Sequence, residues 1–195
     1  MWVRVSHWIA ALSVTTLAVT GYIILMSHPR LYWGEAGNDL TKPLLELPIS
    51  RNYHHGGYDG EARTYNIFNQ NGWGRSLHFL AAWLLVVPGV LYVAAGIGSG
   101  HFRTRFWREY GPWQGRAYTL VVFVLAPLVI LTGLAMAPAV TAAFPPLLTV
   151  FGGHQSARTI HFALFAALVL FTIGHVVMVA RSGFRRQMRA MTFGE

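Results

Sequence analysis

The sequence predicts an all-α membrane protein: a four-transmembrane-helix bundle with both termini cytoplasmic and one long external loop. One reason is composition, because 54% of the 195 residues are hydrophobic and only 11% are charged, as is typical of membrane proteins. The second is that four apolar runs each reach the length of about 20 helical residues that a hydrocarbon core of about 30 Å requires. The third is the distribution of arginine, which differs between the two sides of the bundle.

The four predicted spans contain no Asp, Glu, Lys or Arg. They cover residues 5–26, 77–97, 117–140 and 160–180. The first run is longer than the apolar core of about 7 to 15 residues that a secretion signal has, so we interpret it as a retained membrane anchor. No motif repeats with a period of about 20 to 50 residues, and we expect residues 1–195 to form a single domain.

Arginine marks one side of the predicted bundle. The N-terminus, the loop of residues 98–116 and the tail from Arg181 together carry nine arginines against two acidic residues, whereas the opposite side has six basic and five acidic residues. The positive-inside rule therefore predicts that both termini are cytoplasmic. The formal net charge of +8 then reflects topology and lipid headgroups, and it does not indicate a nucleic-acid-binding protein.

The external side has one long connection, residues 27–74, which contains three prolines and many glycines. A loop of this length usually has partial order or a docking partner. Within the spans, Pro88 and Pro127 are expected to kink the second and third helices.

The absence of cysteine limits the redox chemistry of the chain. Without cysteine the protein cannot hold an iron–sulfur cluster through thiolates, attach a c-type haem covalently or form a disulfide. Any redox centre must therefore use other ligands.

Histidine is the unusual residue of the predicted spans. His7, His78, His161 and His175 lie within the apolar runs, where an ionisable side chain is costly and usually faces the bundle interior or a functional site. One such histidine could simply hydrogen-bond a neighbouring helix. Four of them need a common explanation.

The depths of these histidines predict two pairs. His161 and His175 are 14 residues apart, which is about 21 Å along a helix and within about 40° of the same face. Because the first helix runs outward and the second runs inward, His7 lies at the depth of His175 and His78 at the depth of His161. One pair is therefore expected at each edge of the membrane.

Haem b, held between two imidazoles from different helices, fits each pair because it needs no cysteine and fills an apolar cleft. A zinc ion would want four ligands around one point, and each pair supplies only two. A proton relay normally recruits Asp or Glu as well, and the spans contain neither, but the histidines alone leave a relay open.

Four further residues are candidate neighbours of the cofactors. Arg75 and Arg158 each precede a predicted external ligand by three residues, so they lie one turn outward on the same face, where arginine can pair with haem propionates. Arg4 precedes His7 in the same way and could pair with a propionate or snorkel at the helix end. Gly21 follows His7 by 14 residues and could give clearance to the external macrocycle or allow close helix packing.

The motifs around the histidines are “RVSHW”, “RSLHF” and “RTIHF” followed by “IGH” (residues 4–8, 75–79, 158–162 and 173–175). They resemble the four-helix di-haem cytochrome b membrane subunits of formate dehydrogenase (gamma chain), nickel–iron hydrogenase and thiosulfate reductase, which are related to bacterial cytochrome b-561. In that family one haem lies between helices one and four and the other between helices two and four. The resemblance therefore implies His7 with His175 as cytoplasmic-side iron ligands, and His78 with His161 as external-side ligands.

The resemblance also implies a function, which is to pass electrons between an external redox partner and the quinone pool. The segment “HPRLYWGEAGN” at residues 28–38 resembles a stretch in subunits that anchor periplasmic molybdopterin oxidoreductases, so an enzyme of that kind is the expected partner. Quinone sites of the family usually lie beside the cytoplasmic haem. The candidates at that level, which an ordinary membrane interface would equally contain, are Trp8, Trp107, Tyr110, Gln114 and Arg116.

Two other functions stay open at the level of sequence. A stand-alone superoxide:quinone oxidoreductase of the cytochrome b-561 type would use the same haem geometry. Its small substrate needs only an open, positively charged haem edge, which does not account for the long external loop. A haem-free structural anchor, in which the histidines only bond helices together, would give a colourless protein.

Overall fold

The computed structural model describes residues 2–38, 40–49, 71–103 and 112–194. Within these residues the protein is mostly helical, and four helices are long and apolar enough to cross a membrane, which confirms the predicted all-α class with four spans. We call them the first to fourth spans: Trp2–Ser27, Gly72–Gly98, Trp113–Ala135 and His154–Arg181.

The spans differ from the predicted ones at their ends. All four begin earlier than expected, and the arginine of each motif lies inside its helix. The third span ends at Ala135 and not at residue 140. Ala137 is extended (φ −85°, ψ 114°) because a residue before proline disfavours the helical region. Two short helices, Pro138–Ala143 and Pro146–Val150, then lead to the fourth span.

The third span contains a π-helical turn. It consists of an α-helix, a π-helical segment and a second α-helix: Pro112–Leu120, Val121–Leu125 and Ala126–Ala135. The N–H of Ala126 donates to the carbonyl of Val121, five residues back, and Pro127, which has no N–H, follows directly. The irregular turn thus coincides with one of the two mid-span prolines. The other, Pro88, lies inside the uninterrupted helix Asn71–Gly98.

Two short strands follow the first span. Strand β1 (Arg30–Leu31) pairs with strand β2 (Leu45–Glu46) in antiparallel register. Arg30 forms an ion pair with Glu46 across the strands, with 3.3 Å between Nε and Oε1. Tyr32, which follows β1, is buried, so the start of the long loop packs against the bundle.

Residues 28–35, which we call the cap segment, are fastened to the start of the fourth span. The carbonyl of Gly34 accepts hydrogen bonds from the N–H groups of Gln155 and Ser156, at 2.9 and 3.2 Å. In return, the N–H of Gly34 donates to Ser156 Oγ at 2.7 Å. The N–H of His154 donates to Glu35 Oε2 at 3.3 Å. The first N–H groups of a helix have no partner within it, and the cap segment satisfies three of them.

The spans pack against one another through small side chains. The first span contacts chiefly the second, and the third contacts chiefly the fourth. Small and hydroxyl-bearing residues let helices approach closely in a membrane; those buried here include Ser13, Thr20, Ala81, Thr132, Ala135, Ser156 and Ala157. Large apolar side chains such as Leu12 and Leu170 are 68% and 70% exposed, as suits a surface that faces lipid.

The two ends of the chain meet at one end of the bundle. After the fourth span, Gly183 adopts the left-handed conformation (φ 101°, ψ 78°), and the C-terminal helix Phe184–Thr192 begins. The indole N–H of Trp8 donates to the carbonyl of Met191 at 3.0 Å. We call this the terminal end of the bundle, and the opposite end, which carries the cap segment, the loop end.

Candidate functional site

The loop end contains one pair of histidines. His78, near the start of the second span, and His161, in the fourth span, have ring centres 6.4 Å apart and ring planes inclined at 63°. Their side chains are partly buried. The structure therefore brings together the two residues that the sequence placed at one depth. We call them the loop pair.

The terminal end contains the other pair. His7, near the start of the first span, and His175, near the end of the fourth, have ring centres 6.2 Å apart and ring planes inclined at 57°. This is the second pairing that the sequence predicted. We call these two residues the terminal pair.

The spacing within each pair fits one metal ion between the two rings. Because an imidazole nitrogen binds a metal at about 2 Å, two rings that share a metal have centres about 6 Å apart. Among the described residues no three or more His, Cys, Asp or Glu side chains come together as a metal-binding group, which disfavours a four-ligand zinc site. Two imidazoles facing each other suit a haem iron, whose remaining ligands belong to the macrocycle.

A buried threonine orients the ring of His78. Oγ1 of Thr20, on the first span, lies 2.9 Å from Nδ1 of His78. The same hydroxyl donates its only proton to the carbonyl of Thr16 at 2.7 Å, so toward the ring it acts as an acceptor. In a neutral ring Nδ1 then carries the proton, and Nε2 keeps its lone pair for a metal.

The ring of His161 is held in the same way from the third span. Oγ1 of Thr132 lies 3.0 Å from Nδ1 of His161. The hydroxyl proton of Thr132 points to the carbonyls of Leu128 and Val129, at 2.9 and 3.0 Å. Each ring of the loop pair therefore has a free Nε2, as iron ligation requires.

A glycine follows each of these threonines and lies against the same ring. A Cβ added to Gly21 would come to 3.6 Å from Cε1 of His78, and one added to Gly133 would come to 3.3 Å from Cε1 of His161. Gly21, which the sequence predicted beside the external cofactor, thus contacts the loop pair. Neither glycine has a side chain to press against its ring.

The terminal pair has different neighbours. The hydroxyl of Tyr118, on the third span, lies 3.0 Å from Nδ1 of His175, and Phe171 stacks on that ring with the planes 14° apart. Nδ1 of His7 is buried and has no hydrogen-bond partner among the described residues. A buried unpaired polar atom is costly, so a group other than these residues is expected to complete this side of the pair.

The two arginines predicted to bind propionates both lie toward the loop end. The guanidinium of Arg158 donates to the carbonyl of His28. Burial, together with the charges of Arg158 and Arg75, lowers the pKa of His28. Guanidinium groups of this kind can bind carboxylates. Arg4 instead lies against Gly194 at the terminal end.

Of the predicted quinone residues, Trp107 and Tyr110 lie outside the described residues. The ring of Trp8 is 5.3 Å from that of His7. Trp8 therefore lies beside the terminal pair, as predicted, although its N–H is already bonded to the C-terminal helix.

The other two predicted quinone residues lie on the third span. Gln114 is partly buried and lies one turn before Tyr118 on the same helical face. The exposed Arg116 lies over the ring of Trp113, with its Cζ 5.4 Å from the ring centre. Gln114 is thus the better placed of the two to reach the terminal pair.

Sequence reasoning missed the residues that hold the histidine rings: Thr20, Thr132, Gly133 and Tyr118. For the loop pair a signal was present, because the dipeptide Thr-Gly occurs in the chain only at residues 20–21 and 132–133. Both positions lie at the depth of the loop pair. No comparable pattern marks Tyr118.

The chain is similar to known proteins over nearly its whole length. A family model described as prokaryotic cytochrome b561 matches residues 1–194, which include all four spans and all four paired histidines. A relative from Azospira oryzae is 28% identical over 206 residues, covering 92% of this chain and 88% of the relative. That relative is provisionally named protein-methionine-sulfoxide reductase subunit YedZ1.

Proposed function

The chain belongs to the prokaryotic cytochrome b561 family, and from this premise we propose that it is a di-haem subunit that carries electrons between a periplasmic redox partner and membrane quinone. Family membership makes it a cytochrome b561-type membrane electron-transfer protein and implies haem b. The proposal adds the number of haem groups, their ligands and the two exchange partners.

Two histidine pairs at opposite ends of one bundle are the observation that carries the proposal. Ring centres lie 6.4 Å apart in the loop pair and 6.2 Å apart in the terminal pair. In each pair the two rings come from different spans, so each would hold one iron between two helices. Haem b, when bound there, supplies reversible one-electron chemistry at its iron.

The fourth span links the two proposed sites. His161 and His175 are 14 residues apart on this helix, which is about 21 Å along its axis. The arginine distribution favours a cytoplasmic terminal end. On that topology the loop pair exchanges electrons with an external protein, and the terminal pair exchanges them with quinone.

The surroundings of each pair support this assignment. At the loop end, Arg75 and Arg158 would bind the propionates of the haem held there: each precedes a histidine of the loop pair by three residues, and Arg158 bonds to the carbonyl of His28. At the terminal end, Trp8 and Gln114 offer an aromatic face and an amide for a quinone.

A periplasmic molybdopterin oxidoreductase is the partner that we propose. The name of the Azospira relative describes a subunit of a protein-methionine-sulfoxide reductase, and the cap segment lies within the stretch of residues 28–38 that resembles anchors of molybdopterin enzymes. Trp33 in this segment is 63% exposed, and its neighbour Gly34 is bonded to the fourth span. An exposed tryptophan on a fixed backbone is suited to contact a partner protein.

A haem count on the detergent-purified chain tests the proposal. The pyridine haemochrome assay should give two b-type haem groups per chain, and a potentiometric titration followed by reduced-minus-oxidised spectra should resolve two midpoint potentials. One haem per chain, or none, would contradict the two-site proposal.

Electron transfer with and without a partner tests the exchange partners. After a water-soluble quinol has reduced the haem groups of the purified chain, a periplasmic molybdopterin oxidoreductase together with its oxidised substrate should be required for rapid haem oxidation. Rapid superoxide-dependent reduction of quinone by the purified chain alone would instead favour the stand-alone superoxide:quinone oxidoreductase.

A further inference from the structure

The chain repeats one arrangement on two helices that are distant in sequence. On the first span Thr20 bonds to Nδ1 of His78 while Gly21 lies against the ring. On the third span Thr132 and Gly133 stand in the same relation to His161. The two Thr-Gly steps therefore approach the loop pair from two spans that carry neither of its histidines.

We propose that these two Thr-Gly steps are positioning elements, which set the tautomer, the orientation and the electron-donor strength of the loop-pair histidines as iron ligands. In the terminal pair, by contrast, Tyr118 contacts the ring of His175. This inference rests on the proposed function, because it assumes that the histidines bind haem iron. The proposed function by itself requires no role for the threonine hydroxyl groups, and the inference assigns them one.

The threonine hydroxyl groups are suited to this role because their own protons are already used. The hydroxyl of Thr20 donates to the carbonyl of Thr16, and that of Thr132 donates to the carbonyls of Leu128 and Val129. Thr20 is 1% exposed and Thr132 is 0% exposed, so water does not compete for these bonds. Each threonine thus presents a fixed acceptor to one Nδ1–H.

An acceptor at Nδ1 changes how strongly the opposite nitrogen binds a metal. When Nδ1–H donates to an oxygen, the ring becomes a better electron donor at Nε2. A stronger donor stabilises ferric iron more than ferrous iron, which lowers the midpoint potential. Removing either hydroxyl should therefore raise the midpoint potential of the loop-side haem.

Threonine-to-valine substitutions test the inference because valine keeps the shape and removes the hydroxyl. Thr20→Val, Thr132→Val and the double variant would be compared with Thr20→Ser and Thr132→Ser, which restore a hydroxyl. Matched controls are Thr15→Val and Thr172→Val, because these exposed threonines also bond to their own helix backbone but contact no paired histidine. The readouts are the two midpoint potentials, the haem content and the low-spin ferric electron paramagnetic resonance signal.

We expect each valine variant to change the ratio of ferric to ferrous binding about tenfold, which for a one-electron couple is about 59 mV upward at the loop-side haem. In the serine variants the midpoint potential of the loop-side haem should be close to that of the wild type. The terminal-side potential should not move, and neither control should move either potential. The resonance signal of the loop-side haem should change shape as its ring planes relax.

Three results would overturn the inference: unchanged potentials in both valine variants, equal shifts in both haem groups, or serine variants that behave like valine. If a valine variant does not retain the loop-side haem at all, the serine variant decides, and its retention of the haem supports the positioning role. Failure of the proposed function is distinguishable, because it would appear in the wild-type haem count before any threonine is changed.

Discussion

The loop pair and the terminal pair have almost the same ring spacing, 6.4 and 6.2 Å, but their rings are held differently. In the loop pair each Nδ1 meets the oxygen of a buried threonine whose proton is bonded to its own helix. In the terminal pair one Nδ1 meets the hydroxyl of Tyr118. The other, on His7, has no hydrogen-bond partner among the described residues.

This difference shows that the arginine–histidine–aromatic motif sets the depth of a ring but not its hydrogen bonds. The motifs around His7, His78 and His161 are nearly the same in sequence. The residues that contact their Nδ1 atoms lie on other helices. Which residue makes the contact depends on the sequence of that helix at the same depth. Two sites of similar spacing can therefore have different electronic properties.

Removing one histidine from each pair should have the largest effect. His161→Ala should abolish the loop-side haem and His7→Ala the terminal-side haem, because each iron is left with a single axial imidazole. The pyridine haemochrome assay should then find one haem per chain in each variant. The midpoint potential of the remaining haem should differ between the two variants. His154→Ala, an exposed position at the start of the fourth span, is the control. Retention of both haem groups in His161→Ala would rule out the pairing.

A side chain at Gly133 should damage the loop pair alone. Gly133→Leu would push against the ring of His161, where even a Cβ would lie 3.3 Å from Cε1. Overpacking costs about 1–3 kcal/mol, so we expect about a tenfold loss of affinity for the loop-side haem. Haem content after stepwise dilution in detergent would measure the loss. In the control Gly89→Leu an added Cβ meets nothing within 4 Å, and an equal loss there would show a general effect of leucine.

Removing the hydroxyl of Tyr118 should affect the terminal pair alone. Tyr118→Phe takes away the hydrogen bond to His175, which is worth about 0.5–1.5 kcal/mol. The terminal-side midpoint potential should shift by less than the loop-side shift expected for the threonine variants, and the loop-side potential should stay constant. Potentiometric titration checks both values. Tyr22→Phe, at a tyrosine that is 49% exposed on the first span, should change neither potential.

Acid should weaken the loop end slightly through His28. Burial and the charges of Arg158 and Arg75 lower the pKa of His28 in the folded protein. The unfolded chain therefore binds this proton more readily, and the stability contributed by neutral His28 is complete above the unfolded pKa of about 6.5 and is lost as the pH falls below it. Heating in detergent should release the loop-side haem somewhat faster at about pH 5 than at about pH 7.

His28→Gln should reduce this pH dependence, because the amide does not titrate. The terminal-side haem serves as an internal reference in the same sample. A pH dependence that is equal at both haem groups, or unchanged in His28→Gln, would show that another group is responsible.

Much of the fold and the pairing of the histidines followed from the sequence. Span number depends on hydrophobic length, and the depth of a residue in a helix depends on a constant rise. The spacing of His161 and His175, with the directions of the first two helices, therefore predicted the two pairs of rings that the structure brings together. The end of the third span was less predictable, because Pro138 ended an apolar run that composition alone would have continued.

The ring partners were less predictable because they depend on how each helix is rotated toward its neighbours. Thr20 and Thr132 lie in apolar runs where threonine usually bonds only to its own backbone, and both do so here. Their second bonds, to the histidines, exist only because the first and third spans turn these faces toward the second and fourth. That rotation comes from packing between helices, which single-sequence patterns do not encode.

The hydrogen bonds of the loop pair also bear on how this protein handles protons. Each Nδ1 proton is bonded to a threonine, and each threonine proton is bonded to a helix carbonyl. On the proposed function, the loop pair would therefore pass electrons without passing protons. Protons that accompany quinone chemistry would then be exchanged at the terminal end. On the proposed function, an electron that crossed the membrane without its proton would move net charge, so each turnover would raise or lower the membrane voltage according to the direction of electron flow.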